Sequence, residues 1–248
     1  MSFDLVTVAF LLAGAGLASF VAGFAGFGTA LMASGLYFHA LPAAMVPPLI
    51  VLGSVIAHLT TLTASRAWVE FRPALPFLLT GALGVPLGVA ALSFMTPDTL
   101  RGLVGVVLIA YGIASLTGIL RPLGAGLRSA ARDGAVGGIG GVLGGIAGLS
   151  GVLPMVWLQL ADAPPREART ILQAFNLAIL ALSGAVMAVG GLVDRDVLMA
   201  LALILPASIA GALLGNWAFG KASVATFKRV VLVLLLGSGL SLVARVML

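Results

Sequence analysis

Cysteine is absent from the 248 residues, so the chain has no disulfide and no thiolate metal site, and cysteine usage carries no word on redox compartment. Charge is nearly as scarce: 8% of residues are charged, against about a quarter in a soluble domain. Histidine occurs twice, at His39 and His58, which without cysteine excludes a dedicated metal centre. No Asp or Glu falls inside a long apolar run, so a buried carboxylate relay for protons and an acid-lined cation path are both missing. No Walker-type loop and no Gly-x-Ser-x-Gly occurs, which removes candidate sites for ATP hydrolysis and hydrolase chemistry. The expectation is therefore no enzyme, no cofactor and no metal.

What remains is overwhelmingly apolar. Hydrophobic residues make up 61% of the chain and the mean hydropathy is +1.21. A soluble protein of this composition could not cover its surface, so bilayer lipid must be the solvent for most of it. Asp4 is the only charge before the first apolar run, and no basic n-region marks a cleavable signal. The formal net charge of +5 sits in short loops between apolar runs, which reads as membrane topology and not as nucleic-acid binding.

Uncharged runs cover 5–65, 73–97, 102–120, 134–161, 170–193, 197–220 and 230–244. About 20 apolar residues cross the hydrocarbon as a helix, so most runs hold one span each. His39 and Pro42 divide the first run into 5–38 and 42–64.

The chain also repeats itself, with halves at 1–122 and 123–248. Shifting by 122 residues places Gly23-Phe-Ala-Gly26 on Gly145-Ile-Ala-Gly148, and Pro42 on Pro164. Further along, an offset of 127 places Gly84-Val-Pro-Leu-Gly88 on Gly211-Ala-Leu-Leu-Gly215, and Thr99-Leu100-Arg101 on Thr226-Phe227-Lys228.

Segment 5–38 as one helix would be about 50 Å long, too much for a hydrocarbon core of about 30 Å. Either it crosses once with a kink or it forms a re-entrant hairpin turning at its glycines. Lys and Arg collect in cytoplasmic loops. The hairpin arrangement puts ten basic residues on one side (Arg66, Arg72, Arg121, Arg128, Arg132, Arg166, Arg169, Lys221, Lys228, Arg229) and three on the other (Arg101, Arg195, Arg245). The single crossing splits them seven to six. The expected fold is thus an all-α integral membrane protein with an inverted repeat. Each half is a re-entrant helical hairpin plus three transmembrane helices, and both termini are periplasmic.

The two glycine clusters carry the binding expectation. Gly26, Gly28 and Thr29 form the first, and Gly148, Ser150 and Gly151 the second. At such turns the amides opening a new helix lack intrahelical partners, and their partial positive charge suits an anion. Close packing through small residues is the competing explanation. Arg169, Gln173 and Asn176 stand at i, i+4 and i+7 and share a helix face. Their counterparts are Pro47, Val51 and Ser54, with His58 one turn further on. Arg169 could fork onto an oxyanion or serve as a topology charge. Gln173, Asn176 and His58 could contact the anion or bond between helices. Trp68, Trp157 and Trp217 read as packing or interface anchors.

These features resemble the sulfite exporter TauE/SafE family, anion permeases also known from toluenesulfonate uptake. Members look like two related halves, each opening with a glycine-rich stretch such as GxGGG and followed by a proline turn. Here the stretches are Gly26-Phe-Gly28-Thr29-Ala30 and Gly148-Leu-Ser150-Gly151-Val152, and the turns are Leu41-Pro42 and Ala163-Pro164-Pro165. The usual glycine run is interrupted at Thr29, Ala30, Ser150 and Val152, and Val46-Pro47-Pro48 replaces the usual small polar residues. The resemblance covers nearly the whole chain. It implies a bacterial inner-membrane secondary transporter for sulfite, sulfonates or related sulfur oxyanions. On the residues alone, a channel-like anion pore and a non-transporting scaffold subunit stay open beside the carrier. The expected partners are a small anion and the lipid bilayer, with a homo-oligomer left open.

Overall fold

A computed structural model of the chain describes residues 3–65, 71–219, 221 and 224–247, and of 224–234 the backbone alone. Among these residues ten α-helices run in order: α1 Leu5–Ala25, α2 Thr29–Ala40, α3 Val46–Ser65, α4 Leu75–Ser93, α5 Pro97–Leu116, α6 Ala130–Ala147, α7 Val152–Leu160, α8 Pro165–Val189, α9 Arg195–Ala218 and α10 Val224–Met247. No strand occurs among the described residues. Among the described residues, six helices are long and apolar enough to cross a membrane, α3 and α4 counted with the 3-10 turn before each: α1, α3, α4, α5, α8 and α9. The chain is a multi-pass all-α membrane protein. Arg66 and Trp68 lie outside the described residues, as do the side chains of Lys228 and Arg229.

Both expected breaks are present, and local chemistry explains them. At the first, Gly26 adopts φ 80° and Gly28 φ 96°, a region where a side chain is strained. The Gly26 amide donates to the Ala22 carbonyl at 2.8 Å and closes α1. At the second, Gly148 has φ 72°, and the Gly148 and Leu149 amides reach back to Gly144 and Leu143 at 2.9 and 3.2 Å. Past the first break the chain doubles back. The Tyr37 hydroxyl donates to the Leu11 carbonyl at 3.4 Å, and a Cβ at Gly14 would meet the Tyr37 ring. The returning arm α2 has 12 residues, about 18 Å, too short to cross alone.

Helix starts differ from the uncharged runs. α5 begins at Pro97 and takes in Asp98 and Arg101. α6 begins at Ala130 with Arg132 and Asp133 inside, and α8 begins at Pro165 with Arg166, Glu167 and Arg169 inside. Acids in the first turn are favoured by the helix dipole, so charge does not mark these boundaries. Caps mark them better: Thr96, Ser129 and Asp194 each accept from the amide three residues on.

The halves interlock through glycine. A Cβ at Gly23 of α1 would stand 2.9 Å from the Asn216 amide nitrogen of α9, and one at Gly145 of α6 would stand 2.8 Å from the Val89 nitrogen of α4. Gly215 packs on Phe20, and Gly88 packs on Val142; Gly211 packs on Gly16, and Gly84 packs on Gly138. Each such pair of contacts is related by the offsets 122 and 127 found in the sequence. Absent side chains let these backbones touch, which is how helices associate where lipid removes the hydrophobic drive.

Candidate functional site

The two breaks meet. A Cβ on Gly148 would lie 3.6 Å from the Ala30 Cβ, and Gly28 to Leu31 line one small gap with Gly148, Leu149, Gly151 and Val152. That gap measures about 10 Å³, room for one water at most. The polar side chains around it are engaged with each other. Asn176 pins the turns together: its Nδ2 donates to the Gly26 carbonyl at 3.1 Å, and its Oδ1 accepts from the Ser150 hydroxyl at 2.7 Å. Gly151 leaves the space that the Asn176 amide fills. At the counterpart position Ser54 donates to the Thr29 hydroxyl, with a separation of 2.6 Å.

The larger opening lies to one side of the first turn. A cavity of about 340 Å³ is bounded by Gly28 and α2, the end of α7, the start of α8, Tyr111 of α5, Phe219 after α9 and Leu235 of α10. Its wall is mostly apolar, and Arg169 is the single cationic side chain on it among the described residues. The arginine Nη2 donates to the Gly23 carbonyl at 2.7 Å and to Asn216 Oδ1 at 3.0 Å, and its guanidinium lies over the Phe219 ring at 4.0 Å. Gly23 is in the last turn of α1, whose carbonyls lack intrahelical donors, so the cation also finishes that helix. Its Nε is buried without a partner, and no carboxylate among the described residues pairs with it. The first-turn amides of α2, Thr29 to Leu31, follow Gly28 at the cavity edge. They have no intrahelical acceptor, and Gly28 supplies no side-chain cap. The second turn offers fewer donors. Val152 N already bonds to Leu149 O at 3.3 Å, and the next turn contains Pro154.

The expected polar stripe on α8 thus gathers at the first turn. Gln173 packs its Cγ against Gly26 and buries an Nε2 that has no partner. His58 goes elsewhere. It is 1% exposed on α3, lines neither the cavity nor the gap, and buries two unpartnered ring nitrogens. Replacing an unsatisfied buried polar group by an apolar one of similar size is near neutral or stabilising. His58→Leu should therefore leave anion affinity within about twofold and hold or raise the melting temperature, read by calorimetry and thermal unfolding.

A second polar cluster was not legible in the sequence. Arg128 donates through Nε and Nη2 to Asp133 Oδ2 at 3.1 and 2.9 Å, and through Nη1 to Glu167 Oε1 at 2.6 Å. Trp157 Nε1 donates to Asp133 Oδ1 at 2.7 Å. Asp133 is 4% exposed, so this carboxylate is buried with both oxygens hydrogen-bonded. Burial pulls the Arg128 pKa down, but Asp133 and then Glu167 outweigh it and leave it above the ordinary arginine value. Trp157, expected as a packing or interface anchor, is a donor to this network.

A multi-pass membrane protein whose two broken helices meet beside a cavity with one guanidinium, which no carboxylate among the described residues pairs, has the layout of a membrane transport protein. A family model described as sulfite exporter TauE/SafE matches residues 11–242, nearly the whole chain, and the chain belongs to that family. Neither the curated proteins nor the solved structures give a match.

Proposed function

We propose that the protein is a secondary permease of the bacterial inner membrane for a small sulfur oxyanion or organosulfonate, bound in the 340 Å³ cavity beside the first turn. One observation carries this reading: Arg169 lines that cavity, and no carboxylate among the described residues neutralises its guanidinium. A guanidinium in apolar surroundings is costly unless an anion joins it. The unpaired amides of Thr29 to Leu31 add partial positive charge on the same side. The gap between the turns, at about 10 Å³, is left to the Asn176 pin.

The recurring glycine contacts at offsets 122 and 127 support an inverted repeat, a common transporter plan with broken helices. With three further spans per half, both termini face the periplasm. Pro165 and Phe219, which line the cavity, then stand close in sequence to Arg166 and Lys221 of the basic, cytoplasmic side. A reporter fused to the C-terminus that reads cytoplasmic would overturn this topology.

Arg169→Gln should weaken anion binding by a charge-assisted hydrogen bond, about 1.5–3 kcal/mol or ten- to a hundred-fold. Calorimetry on the purified variant checks it, with Arg169→Lys retaining part of the affinity and thermal unfolding reporting the lost Gly23 and Asn216 bonds separately. Unchanged affinity in Arg169→Gln would remove the site.

A further inference from the structure

We infer that the linker between the two halves, residues 117–129, is a strap that holds the α7–α8 turn shut over the cavity. Its release opens the cavity into a second space beside Arg128. That the gated space binds substrate rests on the reading of Arg169 above; the strap itself does not.

The wall comes first. Residues 161–165 join α7 to α8. Ala163 and Pro165 line the cavity of about 340 Å³. Ala161 to Pro164 also line a groove of about 380 Å³, together with Arg128 and Glu167. Ala163 lines both, so the two spaces share this turn as a wall. Little within the turn fixes it. α7 ends on a left-handed residue, Asp162 at φ 54°, where glycine is usual, and the Ala163 amide reaches back to the Leu158 carbonyl at 3.0 Å. Pro164 and Pro165 follow and have no amide to donate.

The strap grips this turn from both sides. Before it, Leu123 N donates to the Leu160 carbonyl at 2.7 Å, and Gln159 Nε2 donates to the Leu120 carbonyl at 3.3 Å. After it, Arg128 Nη1 donates to Glu167 Oε1 at 2.6 Å. The strap has no apolar anchorage of its own. None of residues 117–129 is buried, and Ile119 and Leu123 are 73% and 72% exposed. A segment held by accessible hydrogen bonds, without buried apolar contacts, is drawn from the part of a protein that opens first. Release also strands no charge. Glu167 is 42% exposed and passes to water, while Arg128 keeps Asp133. Gln159 connects the strap to the cavity, since it lines the cavity and gives its Nε2 to the strap. An acceptor group entering the cavity competes for that donor and loosens the strap from inside.

Hydrogen exchange resolved to single amides, on the full chain in lipid discs, tests the strap. The Leu123 amide reports the strap, and the Asp162 and Ala163 amides report the turn. Glu167→Gln is the deciding variant. Its bond goes to Arg128, whereas these amides donate to Leu160, Gln159 and Leu158. All three amides should exchange about two- to fivefold faster together, the worth of a partly exposed ion pair. Gln159→Leu should speed them about two- to tenfold, the loss of one neutral hydrogen bond. The double variant should show the product of the two factors. Amides of α8 between 175 and 185 should keep their protection throughout. Because the chain has no cysteine, Met155→Cys places a single thiol on the cavity wall. Its labelling by a charged maleimide should accelerate by the same factors in the same variants. If Glu167→Gln leaves Leu123 and the turn unchanged, the contacts are independent and the inference is wrong. If the amides open together but labelling at Met155→Cys stays constant, the strap moves without opening the cavity, which overturns the inference equally. Lost protection along α8 would make Glu167 a general fold contact and sink it too. None of these outcomes bears on the anion affinity of Arg169→Gln, which alone decides the substrate site.

Discussion

Arg128→Met should destabilise the folded protein by about 3–5 kcal/mol, the cost of leaving a buried partner charge uncompensated. The stranded group is Asp133, at 4% exposure, which keeps only the Trp157 donor. Glu167 suffers less, since its side chain is 42% exposed and water can replace the arginine. Asp133→Asn in the Arg128→Met background should restore much of the loss, because the pair is then removed from both sides. Thermal unfolding in detergent reads both effects. If the single variant unfolds like the parent, the network is a surface ion pair of the kind worth about 0–1 kcal/mol.

Asn176→Leu should abolish transport and destabilise the protein by roughly 2–4 kcal/mol. Leucine matches the amide in size but frees the Gly26 carbonyl and the Ser150 hydroxyl at the place where the two turns touch. Each buried group left unsatisfied costs about 1–3 kcal/mol. Asn176→Asp should be worse than Asn176→Leu for folding, since it adds a charge and removes the donor to Gly26. Uptake into vesicles and unfolding of the same preparations measure both. Full transport by Asn176→Leu would make the polar stripe ordinary helix-to-helix bonding.

Features written as local spacing were legible before the fold was seen. The glycines at 26, 28 and 148 declare the breaks, because positive φ is cheap only there. The i, i+4, i+7 spacing of Arg169, Gln173 and Asn176 does put them on one face, and all three reach the first turn. Their partners were not legible. Asn216 and Phe219 arrive from the end of α9, which packs on α1 across the two halves, and no local pattern encodes that contact. Arg128, Asp133 and Glu167 were hidden for a different reason. Charged residues next to apolar runs read as loops, yet Asp133 and Glu167 stand in first helical turns where the dipole welcomes them. His58 differs: a rare polar residue near the repeat-related stripe suggested a ligand, and the structure buries it on α3 away from the cavity lining.

The Arg128 network belongs to one half only. The positions 122 residues earlier hold Val6, Leu11, Gly35 and Met45, with no carboxylate among them, and all but Val6 are buried. One half is therefore fastened by ions where the other has apolar residues at the matching positions. These fastenings respond to temperature in opposite senses. Apolar contact loosens on cooling, whereas hydration of separated charges grows less favourable on heating, so an ion pair tightens in relative terms as the membrane warms. Cold should loosen the packing around Leu11 before the Arg128 network, so the two halves differ in how they respond to temperature.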